Sequence, residues 1–151
     1  MKRILLSLMI AAGSLGFVAQ AGTPVAKTSL PKAAQTFLSK YFPNDNIRKA
    51  EKDNGYHGLE YEVDLTSGAE VDFRENGEWK EVKAARGHAV PAGVVPAAIV
   101  KYVTANFKGQ KIVEVSRKRG GYEVELSNGT ELRLTEDAKQ MPARQGGHKR
   151  H

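Results

Sequence analysis

Residues 61–71 read Tyr-Glu-Val-Asp-Leu-Thr-Ser-Gly-Ala-Glu-Val, and residues 122–132 repeat them as Tyr-Glu-Val-Glu-Leu-Ser-Asn-Gly-Thr-Glu-Leu. The match extends upstream. Leu30-Pro31, Phe37, Phe42 and Ile47 return as Val95-Pro96, Tyr102, Phe107 and Ile112 at a constant offset of 65, which falls to 61 at the Tyr61/Tyr122 match. The second copy therefore lacks four residues between its helix and its hairpin. A duplicated unit constrains architecture before any residue is asked about function. One unit of this size leaves too much surface exposed to be stable alone, so two units are expected to pack into one body.

Within each unit the hydrophobic period changes from helical to extended. Leu30, Ala34, Phe37, Leu38, Tyr41 and Phe42 lie on one helical face, as do Val95, Ile99, Tyr102, Val103, Asn106 and Phe107. Ser29 is expected to cap the first helix, and Pro31 suits its first turn. Pro43-Asn44 and Lys108-Gly109 end the two helices. Residues 46–52 and 111–117 are predicted first strands. Next, Leu59, Tyr61, Val63 and Leu65 alternate with Glu60, Glu62 and Asp64. Side-chain parity favours three-residue loops over two-residue ones: Thr66-Ser67-Gly68 pairs Val63 with Val71, and Ser127-Asn128-Gly129 pairs Val124 with Leu132. A loop of Glu75-Asn76-Gly77 would pair Phe73 with Trp79 and Asp72 with Lys80. The second copy lacks that Gly and Trp, so its last strand is expected to be short or absent.

The fold class expected is α+β, a tandem repeat in which each unit packs one helix on an antiparallel sheet of about four strands. The expected boundaries are a signal peptide over 1–21, an N-terminal linker over 22–29, and the first repeat over 30–82. A linker over 83–94, the second repeat over 95–141 and a basic disordered tail over 142–151 follow. The signal reading rests on Lys2-Arg3, the apolar stretch Ile4 to Val18 and the small residues of Ala19-Gln20-Ala21. The alternative, a retained anchor, has too short an apolar stretch. The tail reads as solubilising, with contact to anionic envelope surfaces or weak metal binding by His148 and His151 as sharper alternatives. The protein has no Cys, which removes disulfides, thiolate metal sites and Cys nucleophiles. Without Lys2 and Arg3, 21 basic side chains face 17 acidic ones. Nucleic acid is not an expected partner, because the aromatics are not interleaved with the basic residues.

The order of these motifs resembles the PepSY-like family of exported bacterial proteins, described as similar to β-lactamase-inhibitor proteins. The helix openings at Leu30-Pro31 and Val95-Pro96, the Tyr61-Glu62-Val63 and Tyr122-Glu123-Val124 strands, the Gly turns and Asn76-Gly77-Glu78-Trp79 carry the resemblance. It spans about residues 28 to 141. The resemblance implies two sheets forming a concave polar surface, and a binding or inhibitory role.

Catalytic signatures are missing: there is no G-x-S-x-G, no H-E-x-x-H and no phosphate-binding glycine loop. The expectation is a non-catalytic protein without cofactor or resident metal. His57, in a turn beside Tyr56, has no local partner for catalysis and reads as an exposed turn residue. The candidate partner-binding residues are Tyr56, His57, Glu60, Glu62, Asp64, Glu70, Asp72 and Lys80 in the first repeat, with Glu123, Glu125 and Arg133 in the second. Parity sets Glu62 opposite Asp72 and Asp64 opposite Glu70, an arrangement of like charges that something should offset. Three offsets are open: ion pairing within the sheet by Lys80, Arg48, Lys49 or Lys52; a basic protein partner; or Ca²⁺. The functional expectation is a periplasmic or secreted monomer that binds an envelope or secreted protein through its sheets, as an inhibitor of an enzyme in one version. The alternative is a small-ligand or cation-binding envelope protein.

Overall fold

Proline opens both helices. In the computed structural model, which describes residues 22–142, α1 spans Lys32–Tyr41 and α2 spans Ala97–Asn106, with Pro31 and Pro96 in the cap positions. Neither cap is made by a side chain. Ser29 does not cap α1 as expected; it closes a short 3-10 turn, Lys27–Ser29. Gln35 instead reaches back, its Nε2 donating to the Leu30 carbonyl at 2.8 Å. The signal-peptide reading and nearly all of the basic tail lie outside the described residues.

The strands are β1 (Thr23–Pro24), β2 (Ile47–Gly55), β3 (Gly58–Leu65), β4 (Glu70–Arg74), β5 (Trp79–Lys83), β6 (Ile112–Lys118), β7 (Gly121–Leu126) and β8 (Glu131–Leu134). They form one antiparallel sheet in sequence order, β1 to β8. The resemblance implied two sheets; β5 and β6 join the halves into one through Glu81↔Ser116, Val82↔Val115 and Lys83↔Glu114. A single row of aliphatic side chains then crosses the sheet under the helices: Ala50, Val63, Val71, Val82, Val115, Val124 and Leu132, all buried. Burial of a continuous apolar row is the main stabilising term for an open sheet of this kind.

The four residues that the second copy lacks come out of one hairpin. Strands β2 and β3 have 9 and 8 residues, whereas β6 and β7 have 7 and 6. The β2–β3 hairpin therefore projects two residues further per strand, and Tyr56 at its tip is 99% exposed. The three-residue loops close as parity requires, with the Gly68 amide donating to Leu65 and the Gly129 amide to Leu126.

Three bulges break the alternation. Arg48 and Val113 occupy matching places in β2 and β6, where the register shifts between Ile47 and Lys49 and between Ile112 and Glu114. Lys80 is the third. Phe73 pairs with Trp79 as expected, but Asp72 faces Glu81, and Lys80 is the extra residue between them. Bulges of this kind re-aim a side chain. Lys80 is turned to Glu60, with its Nζ 2.7 Å from Oε2.

The end of the second repeat retains its turn without the glycine. The Arg74–Glu78 turn is closed by the Arg74 amide on the Glu78 carbonyl and the Gly77 amide on the Arg74 carbonyl. Thr135, Ala138 and Lys139 make the same two bonds, and Ala138 takes the positive φ of 63° that Gly77 takes at 85°. After it the strand shrinks to one bridge, Leu134↔Gln140. Gln140 stands where Trp79 stands in the first repeat. The Phe37–Trp79 ring contact at 6.2 Å is replaced by a hydrogen bond from Gln140 Nε2 to the Tyr102 hydroxyl at 3.1 Å.

Candidate binding face

The sheet face away from the helices carries two long polar rows. One runs Glu51, Glu62, Asp72, Glu81, Ser116, Glu123, Arg133. The other runs Lys49, Asp64, Glu70, Lys83, Glu114, Glu125, Glu131. Strand alternation, reset at the three bulges, puts these side chains on the face opposite the buried row of Ala50, Val63, Val71, Val82, Val115, Val124 and Leu132.

Ion pairs offset the charge at the margins. Asp64 meets Arg48 at 3.3 Å, Glu51 meets Lys49 at 2.9 Å, and Glu70 meets Lys83 at 3.6 Å. Glu60 is held by Lys80, and Glu123 lies between Lys118 at 3.7 Å and Arg133 at 3.4 Å. The centre differs. Among the described residues, Glu62, Asp72, Glu81, Glu114 and Glu125 take part in none of these ion pairs. The five span both repeats across the β5–β6 junction. Burial pushes the half-buried Asp72 carboxyl up to about 7, and the neighbouring Glu81 and Glu62 add to the rise. Burial also raises Glu114, reinforced by Glu81 and Glu125. Glu81 and Glu114 were not among the residues singled out from the sequence. The Lys80 bulge hides the parity of the first, and the Val113 bulge that of the second.

Asp72 makes stability depend on pH. Its folded carboxyl holds a proton more tightly than the unfolded one, so its contribution is complete below pH 4 and is lost as pH rises toward about 7. The rise from 3.8 to about 7 would correspond to about 4 kcal/mol for a fully buried group. Partial exposure reduces this to roughly 1–2 kcal/mol. Asp72→Asn should therefore stabilise the protein by roughly 1–2 kcal/mol more at pH 8 than at pH 4. Urea unfolding at the two pH values measures this, and an equal effect at both would show that Asp72 titrates normally.

The remaining candidates lie at one end of the sheet. Tyr56 and His57 form the exposed β2–β3 tip, their rings edge-to-face at 5.1 Å. His57 lines a cleft of about 960 Å³ together with Glu60, Arg74, Lys80, Glu81 and Arg117–Arg119. Among the described residues no group of three or more His, Cys, Asp or Glu side chains converges to hold a metal ion. No helix there is long and apolar enough to cross a membrane.

Solved structures share this architecture. A Bacteroides vulgatus protein assigned to the periplasm and to the DUF2874 family is 34% identical, with a TM-score of 0.75 over 82% of this chain and 97% of that one. A Bacteroides thetaiotaomicron protein designated calcium-regulated and periplasmic is also 34% identical, with a TM-score of 0.75 over 80% of this chain and 94% of that one. A third, from Bacteroides vulgatus and of unknown function, is 30% identical, with a TM-score of 0.75 over 81% and 98%. No curated protein matches. The family model described as beta-lactamase-inhibitor-like, PepSY-like matches twice, over residues 17–64 and 59–140. With these two matches, which take in both copies of the repeat, the chain belongs to the PepSY-like family.

Proposed function

We infer that the protein is an exported, non-catalytic binding module of the periplasm whose carboxylate-rich sheet face captures a basic surface on an envelope or secreted protein. Inhibition of an enzyme by steric cover is one form of that capture. The observation that carries the reading is the central group of Glu62, Asp72, Glu81, Glu114 and Glu125, none of them in an ion pair among the described residues. Like charges in direct register cost stability, and an external cation would offset that cost. A partner's Lys or Arg side chains supply that relief and gain electrostatic complementarity. The periplasmic assignment of the similar Bacteroides proteins supports the compartment.

Affinity capture from envelope extract tests the reading. The protein should retain a dominant partner, and Glu62→Lys with Asp72→Lys should reduce its affinity by at least about tenfold. Retention unchanged by the double variant would move the partner surface elsewhere. A second reading, cation binding, is favoured by the relative designated calcium-regulated. A rise in melting temperature with Ca²⁺ that Glu62→Gln with Asp72→Asn abolishes, with no protein retained, would put that reading first.

A further inference from the structure

We propose that the cleft between the two repeats takes an acidic peptide segment of a protein partner, bound by Arg74, Arg117 and Arg119. The cleft exists because the ladder that joins the repeats is short. It ends at Glu81↔Ser116. Past that pair β5 leads back to the Glu75–Gly77 turn while β6 ends at Lys118 and the turn after it holds Arg119, and the projecting β2–β3 hairpin adds His57, Gly58 and Leu59 as a further wall.

Among the described residues, five cations line this space: Arg74, Lys80, Arg117, Lys118 and Arg119. Two are committed, Lys80 to Glu60 and Lys118 to Glu123. Among the described residues the three arginines have no salt bridge, although Glu75 and Glu81 also line the cleft. Arg117 is the most telling. Its guanidinium lies over the Trp79 ring, 4.3 Å from the centroid, and its Nε is buried without a hydrogen-bond partner. The indole occupies one guanidinium face and the Nε is closed off from solvent, which leaves the two terminal NH₂ groups to donate to a carboxylate as a bidentate pair.

Arg74 comes from the first repeat, and Arg117 and Arg119 come from the second, so a ligand between them is held by both. The chemistry required is several carboxylates spaced along a chain. About 960 Å³ is far more room than a single oxyanion fills. A bilayer surface does not enter a cleft, and Glu75 and Glu81 would repel a dense phosphate array. The site shares with the capture reading above only that its ligand is a protein.

Titration of the ¹⁵N-labelled exported chain with hexaglutamate peptide at low salt tests this. Saturable amide shifts should appear over residues 74–76 and 117–120. Affinity should fall at least about tenfold in Arg74→Gln with Arg119→Gln, which alters two exposed side chains and spares the core. Arg117→Gln should do the same, with its fold checked by the unchanged spectrum of the apolar row. Glu62→Lys with Asp72→Lys should leave hexaglutamate binding in place, which separates this site from the carboxylate face. Absence of saturable shifts, or binding that survives Arg74→Gln with Arg119→Gln, overturns the proposal. Equal saturation of the same amides by inorganic phosphate, or by vesicles of anionic phospholipid in place of the peptide, overturns the peptide assignment.

Discussion

Trp79→Ala should destabilise the protein by about 3–5 kcal/mol, the range for truncating a large buried aromatic. Trp79 is 7% exposed and sits where the two repeats meet. It pairs with Phe73 across β4 and β5. Its ring lies 6.2 Å from Phe37 of α1 and stacks at 6.2 Å on Tyr122 of β7, with the Arg117 guanidinium above it. Three residue pairs join β5 to β6 in the sheet, extended by the Ala84 amide on the Val113 carbonyl, and Trp79 adds side-chain contact across the junction to Tyr122 and Arg117. Domains of this size have about 5–15 kcal/mol in total, and the loss would be a large share of that. Gln140 holds the equivalent place in the second repeat but is exposed, and Gln140→Ala should cost under about 1 kcal/mol. Urea unfolding followed by far-ultraviolet circular dichroism compares the two. A Trp79→Ala loss no greater than that of Gln140→Ala would mean that the repeats are joined by the ladder alone.

The contrast between Trp79 and Gln140 also marks how far the sequence can be read. Pairing of Phe73 with Trp79, and of Val63 with Val71, follows from parity and from glycine position, because both are local. The weak last strand follows from the residues that the second copy lacks. The Lys80 bulge is not legible: Lys80 and Glu81 are both polar, so either fits the open face, and the choice is made by which register lets Trp79 and Val82 both reach the core. The joining of the repeats is not legible either. Val82 meets Val115 across 32 intervening residues, and no pattern within either repeat says which strand edges meet. That junction brings Glu81 against Glu114 and opens the cleft beside Arg117. Glu62, Asp72 and Glu125 of the central group were therefore readable from strand parity, while Glu81 and Glu114 depend on the bulges and on tertiary pairing.

Gly77→Ala should cost about 2–6 kcal/mol, from two effects that add. A residue with a Cβ at φ 85° carries a backbone penalty of about 1–3 kcal/mol. The new methyl would also lie 2.8 Å from the Pro31 Cβ, 3.0 Å from the Ala33 Cβ and 3.1 Å from the Ala34 amide nitrogen. Ala34 is fully buried, so α1 has no free direction in which to yield, and overpacking of this kind costs about 1–3 kcal/mol. The second repeat separates the two terms. Ala138 already bears the backbone penalty at φ 63° in the equivalent turn. Ala138→Gly should therefore stabilise by up to about 1 kcal/mol, the relief of strain less the entropy that glycine loses on folding. If Gly77→Ala costs no more than Ala138→Gly gains, backbone conformation alone selects glycine at 77. A larger cost assigns the difference to the close approach of the turn to the start of α1. That approach seats the β4–β5 hairpin, and with it both Arg74 and Trp79, against the first helix.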